Sequence, residues 1–352
     1  MKLRKITAFL LTVILLLGIG SMCVFAGNDI DYLREKFVYG IGPETEGFSI
    51  DYRYYSPVKQ NDSTKYPLVI WLHGMGDGAY DGRQIERSDI ALWASDDYQS
   101  RFKGSGGAFI LAARSVEEKE LYWTDELIYP LRSAIDDFIS KNKANIDVSR
   151  IYVGGYSMGG KMTLKMAVAY PELFAAAFPI CPAWVPGEDA AAKISDMPVW
   201  LVSGANDPLV NYFTMAMPVW KNITSQTDCA EDCRFSTLSI TAYSNGLPTT
   251  NGLPTTSGHH SWFAVNADMF SSKNGKYPNM KTVDGNGNKV TLAYPDGMIS
   301  WLSGFTSSYD GTPAADAGNT EAKTSNGMAS GLNIIKVFFS NFFEYLFSLL
   351  DL

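Results

Sequence analysis

Ile151-Tyr-Val-Gly-Gly-Tyr-Ser-Met-Gly-Gly160 joins an apolar β-branched run to a helix-forming segment, Lys161 to Tyr170. The order is strand, tight turn, helix. Gly155 and Gly159 flank Ser157 two residues to either side, and a sharp strand-to-helix turn crowds the backbone until only a hydrogen atom fits as a side chain. Ser157 is then expected at the apex with its hydroxyl presented. The helix behind it aims its positive end and free N–H groups at the same spot, where an oxyanion can be stabilised.

Upstream, Tyr66-Pro-Leu-Val-Ile-Trp-Leu72 is continuously apolar, as a strand covered on both faces must be. It runs straight into the Gly-rich loop His73-Gly-Met-Gly-Asp-Gly78, and such a loop at a strand end is where α/β sheets hold ligands. Phe48 to Tyr55 alternates apolar and polar residues and reads as an edge strand, with Lys59 to Lys65 as a hairpin-like turn. A helical segment around Arg83 to Phe102 precedes a strand at Ala108 to Ala113. Leu131, Ala134, Ile135, Phe138 and Ile139 then form a helical stripe within 129–142. Downstream, Phe174 to Cys181 and Pro198 to Val202 are further buried strands. Phe235 to Tyr243 is expected to be the last strand and Met298 to Phe305 a closing helix. Strands alternating with helices at this spacing predict an α/β domain with a mostly parallel sheet covered on both faces.

At 352 residues and 46% apolar content the chain is long enough for one large core plus terminal extras. Its net charge is −8, and the charges of residues 1–26 are all positive, so losing that segment leaves a still more acidic protein. Nucleic acid is therefore a poor partner. Residues 1–26 read as an export signal: three basic residues, an apolar run from Ile6 to Ile19, then Val24-Phe25-Ala26 at the cleavage position. The expected destination is secreted or cell-surface. The expected catalytic domain spans 27–305, and 306–332 is a Ser, Thr, Gly and Asn-rich linker. Residues 333–352 carry polar side chains at a helical period opposite a phenylalanine-rich face, which suits a membrane surface or a protein partner. Asn245 to Thr256 repeats one hexapeptide, read as a duplication in an exposed loop. Cys229 and Cys233 are spaced for a small disulfide, Cys181 for a buried thiol, and neither spacing makes a zinc site.

A serine hydroxyl needs a base within hydrogen-bond reach and a carboxylate to orient that base. The chain has three histidines, and His73 is committed to the turn after its strand, which leaves His259 or His260 in Gly258-His-His-Ser-Trp262. Asp207 in Gly204-Ala-Asn-Asp-Pro208 is the best-placed carboxylate, although Asn-Asp-Pro is also a turn former. Tyr122-Trp123-Thr124-Asp125 and Ala183-Trp184 are expected on loops at the same end of the sheet, where aromatic rings can stack on a sugar or phenolic group.

His73-Gly-Met-Gly76, Gly155-Tyr-Ser-Met-Gly-Gly160, Gly204-Ala-Asn-Asp-Pro-Leu-Val210 and Gly258-His-His-Ser-Trp262 resemble the secreted α/β-hydrolase esterases. The group includes feruloyl esterases, polyhydroxybutyrate depolymerase-like enzymes and predicted peptidases related to prolyl oligopeptidase. The resemblance covers about residues 45 to 305 and implies the α/β-hydrolase fold with no cofactor or metal. It makes Ser157 the nucleophile, Asp207 the orienting acid and His259 the base, with oxyanion donors from Met158 and from Gly74 or Met75. Trp123, Trp184, His260 and Trp262 are the expected substrate contacts. The implied reaction is hydrolysis of carboxylic esters through an acyl-enzyme, on acetyl or hydroxycinnamoyl groups of polysaccharides. A peptidase, a polyester depolymerase or a non-catalytic surface-binding protein are the alternatives.

Overall fold

The structure is a computed structural model, and it describes residues 30–59, 62–116, 122–238, 258–266, 280–292 and 296–313. The export signal, the hexapeptide repeat and the C-terminal helix expected from the sequence lie outside these residues, as does 239–243 of the expected strand.

Among the described residues, ten strands form one sheet: β1 (Val38–Ile41), β2 (Asp51–Tyr55), β3 (Tyr66–Leu72), β4 (Phe109–Ala113), β5 (Ile146–Tyr156), β6 (Ala176–Ile180), β7 (Trp200–Gly204), β8 (Arg234–Leu238), β9 (Met280–Asp284) and β10 (Lys289–Val290). Their order is β1-β2-β4-β3-β5-β6-β7-β8-β9-β10. From β4 across to β8 every pairing is parallel. Antiparallel pairs close both sides, β1 and β2 at one and β9 and β10 at the other. This is the expected mostly parallel α/β sheet, with two corrections. The segment after β2 is no hairpin, because β4 lies between β2 and β3. The strand expected to be last is followed by two more, and β1, not β2, is the edge.

Period-two alternation divides the core. On β3, Leu68, Ile70 and Leu72 face a layer holding helices α1 (Ile128–Lys141) and α2 (Met158–Ala169), while Val69 and Trp71 face the opposite layer. The predicted stripe on α1, Leu131, Ala134, Ile135, Phe138 and Ile139, is buried throughout. The opposite layer is built of short helices, and stacked rings fill it: Trp71 on Phe178 and Phe178 on Trp93. α3 (Met217–Thr224) joins the α1 side, and α4 (Trp262–Asn266) and α5 (Met298–Leu302) join the other.

Strand order reverses between β3 and β5: the chain leaves β3 toward β4 but leaves β5 toward β6. The connections therefore diverge at the C-terminal ends of β3 and β5, the switch point where open α/β sheets place their ligands. His73 to Gly78 and Ser157 lie at those two ends.

The domain runs further than the expected boundary at 305. Ser307 N–H donates to the Ser149 carbonyl at 2.8 Å. Tyr309 is buried, and its ring packs against the Arg132 guanidinium, itself bonded to Asp136. Tyr309→Ala should cost about 3 kcal/mol, the usual cost of emptying a buried aromatic site. Urea unfolding measures it, and an unchanged midpoint would return residues 306–309 to the linker.

Candidate active site

Ser157 occupies the turn between β5 and α2 with φ 56° and ψ −116°, a conformation that costs a non-glycine residue energy and persists only where surroundings fix it. Those surroundings are visible. Ser157 N–H donates to the Ile180 carbonyl at the end of β6, and the Ser157 carbonyl accepts from Ala183 N–H and, as the first helical bond, from Lys161 N–H. The flanking glycines are required by close approach: a Cβ at Gly155 would stand 2.3 Å from the Leu72 carbonyl oxygen, and one at Gly159 only 2.0 Å from it. α2 therefore begins directly against the end of β3.

The loop after β3 is held from beneath. His73 is fully buried; its Nδ1 donates to the Gly74 carbonyl at 2.7 Å, and its Nε2 accepts from Ser115 N–H at 3.0 Å. Burial, aided by the nearby Arg114 charge, pushes the imidazole down to about 4, so it stays neutral in the tautomer these bonds require. Trp123 Nε1 donates to the His73 carbonyl at 2.9 Å, and Arg114 donates to the Gly78 carbonyl at 3.0 Å while paired with Asp51. These bonds fix Gly74 and Met75, the expected oxyanion residues, beside the serine turn. Trp123 is thereby corrected: at 1% exposure it is the floor of this loop, not a surface for stacking substrate.

Asp207 follows β7. Its Oδ1 accepts from the N–H groups of Leu209 and Val210, both at 2.8 Å, which is the turn-forming use of Asn-Asp-Pro. Its Oδ2 is turned to His259 Nδ1, 2.8 Å away, with both side chains buried. One carboxylate thus makes the turn and holds the imidazole. Gly204 and Gly258 allow this, because a Cβ on Gly204 would stand 2.1 Å from the Gly258 carbonyl oxygen. Burial works to lower the His259 imidazole, but Cys181 and Asp207 beside it outweigh burial and raise it above its ordinary value.

His260 is only half-buried, and Asp207 bonds its neighbour. Its ring lies against Trp262 and Phe263, and burial, helped by His259, pushes it down to about 4. Trp262, expected to touch substrate, is 8% exposed and stacks on Tyr156 with ring centroids 4.1 Å apart. Among the expected contacts Trp184 keeps a partly open ring, with the Lys165 ammonium 4.3 Å from its centroid.

Two residues gain a place that the sequence reading did not give them. Tyr156 donates its hydroxyl to Asp77 of the β3 loop and stacks on Trp262 of the histidine loop, and its ring fills the space a Cβ on Gly74 would need. One side chain next to Ser157 therefore touches all three loops. Cys181, at φ 35°, donates its thiol to the His259 carbonyl at 3.4 Å. Cys229 and Cys233 are free thiols that share the Thr227 hydroxyl, not the disulfide their spacing suggested.

A strained serine turn after β5 and a buried carboxylate–imidazole pair from the loops after β7 and β8, all at one end of a mostly parallel sheet, fit the α/β-hydrolase fold. A family match and one superposed structure agree on that class. The phospholipase/carboxylesterase family profile matches residues 119–239. A bifunctional acetylxylan esterase/xylanase from Neocallimastix patriciarum is 27% identical over 182 residues, 52% of this chain but 23% of the relative, so the chain spans about a quarter of that protein's length. The crystal structure of a thermostable esterase superposes with TM-score 0.54 at 24% identity, covering 78% of this chain and 64% of that one. Est1E from Butyrivibrio proteoclasticus overlaps over 57% of this chain and 88% of its own, at 20% identity and TM-score 0.39.

Gly159→Ala should destabilise the protein by about 3 kcal/mol, at the upper end for overpacking, because the atoms in conflict, the Leu72 carbonyl and the His73 carbonyl oxygen, are all backbone. Chemical denaturation reads this, and a loss below about 1 kcal/mol would show that α2 can move off β3.

Proposed function

We propose that the protein is a serine hydrolase that cleaves carboxylic esters through an acyl-enzyme. The observation that carries this reading is the 2.8 Å bond between Asp207 Oδ2 and His259 Nδ1, buried at the sheet end where Ser157 sits in its strained turn. Ser157 N–H bonds to Ile180, and the next residue, Cys181, bonds to the His259 carbonyl, so two short contacts link the serine turn to the histidine loop.

In this mechanism Ser157 Oγ attacks the ester carbonyl carbon while His259 Nε2 takes its proton. Asp207 holds the imidazole in the tautomer that leaves Nε2 free and stabilises the imidazolium that forms. The tetrahedral oxyanion accepts from the N–H of Met158, at the start of α2, and of Gly74 or Met75, where donors fixed beforehand need no reorganisation. His259 then returns the proton to the leaving alcohol. Water repeats the sequence on the acyl-serine, releasing the acid and restoring the hydroxyl. Tyr156 positions two of these parts, since it bonds the β3 loop and abuts the histidine loop.

The substrate is an acetyl or hydroxycinnamoyl ester on a polysaccharide. The acetylxylan esterase activity named for the Neocallimastix relative supports the acetyl reading, and the partly open Trp184 ring suits a sugar face. Export through residues 1–26 suits such a polymeric substrate.

Ser157→Ala should lower turnover of p-nitrophenyl acetate by a factor on the order of 10⁴ to 10⁶ with unchanged circular dichroism. His259→Ala should do nearly as much, and His260→Ala should keep activity within about threefold. Equal losses at both histidines would remove the assignment of the base. Because the imidazole is raised and must be neutral to accept a proton, activity should fall as pH drops, with a midpoint above the ordinary 6.5. A kcat/KM profile flat down to pH 5 would contradict it.

A further inference from the structure

Cys181 is the buried nucleophilic group that the proposed reaction leaves unused. It follows β6, Asp207 follows β7, and His259 comes from the loop after β8, so three strand ends deliver three different donor types to one place. One ligand atom from each, the Cys181 sulfur, an Asp207 oxygen and a His259 ring nitrogen, lie within 4.8 Å of one another, and all three residues are buried. Donors around a tetrahedral zinc ion sit roughly 3 to 4 Å apart, so side-chain shifts of about 1 Å would bring these three onto one ion. No sequence spacing could show this, because the donors are 26 and 52 positions apart and only the parallel order of the strands gathers them.

We propose that Cys181, Asp207 and His259 form an inhibitory binding site for a soft divalent cation of the zinc or cadmium class. A thiolate with an imidazole and a single carboxylate selects such ions over magnesium or calcium, which prefer oxygen alone. On binding, the S–H bond breaks, an Sγ–metal bond forms and the proton leaves to solvent. The imidazole gives the lone pair of one ring nitrogen and the carboxylate gives one of its own, and no electron is transferred. The cation therefore occupies the acid–base pair itself. That binding blocks turnover rests on the proposed roles of Asp207 and His259; the binding does not.

The test uses the full chain carrying Cys229→Ser and Cys233→Ser, so that Cys181 is the thiol left in the folded domain. Titration with cobalt(II) should raise a thiolate-to-metal charge-transfer band in the near ultraviolet, which Cys181→Ser abolishes and Asp207→Asn weakens. Zinc should inhibit p-nitrophenyl acetate hydrolysis reversibly on chelation, and Cys181→Ser should raise the inhibiting concentration at least about tenfold, each variant being read against its own metal-free rate. A Cys181-dependent band in a protein that hydrolyses no ester would keep the site and remove the esterase reading. A band unaffected by both substitutions, or zinc inhibition unchanged by Cys181→Ser, would overturn the proposal.

Discussion

The Leu72 carbonyl oxygen lies where a side chain on either Gly155 or Gly159 would have to be. This single crowding sets how near α2 comes to the end of β3, and much of the site follows from it. With the helix seated there, its first turn abuts the Leu72 and His73 carbonyls, and Ser157 is held in a conformation it would not otherwise adopt. The energetic demand falls on the backbone, so side-chain adjustment cannot relieve it. Packing of large rings on the far side, Trp71 against Phe178 and Tyr156, keeps β3 and β5 from parting.

Around that contact two buried imidazoles each have a defined partner. His73 is kept neutral by burial and fills both ring nitrogens with structural bonds, which removes it as a base. His259 is buried too, yet Cys181 and Asp207 offset the burial and tip the balance toward the protonated form. Two imidazoles in one protein thus differ in character because one faces a backbone amide and the other a carboxylate. Cys181 belongs to the second environment, where its thiol donates to the His259 carbonyl and helps raise the imidazole.

The parallel core was legible in the sequence because its strands are covered on both faces and read as unbroken apolar runs, as Tyr66 to Leu72 does. The loops were legible through glycines that mark close backbone approach. What the sequence hid was pairing and exposure. Val38–Ile41 is short and exposed, Lys289–Val290 has two residues, and Met280–Asp284 is half polar, so each is a strand only by virtue of its long-range partner. Trp123 sits on a loop, which suggested an exposed ring, and the resemblance implied a substrate contact at Trp262. In the structure the indole nitrogen of Trp123 is spent on the His73 carbonyl and the Trp262 ring is covered by Tyr156. Choosing between His259 and His260 needed the direction of Asp207, which adjacent positions in a chain cannot reveal.

Intact-mass and peptide-level mass spectrometry after exposure to a fluorophosphonate tests the central claim most directly, because phosphonylation requires a serine made nucleophilic by its neighbours. The account predicts one adduct per chain, located on Ser157, formed at the same rate in His260→Ala and suppressed in His259→Ala. A folded protein that stays unlabelled, or one labelled at another serine, would contradict it.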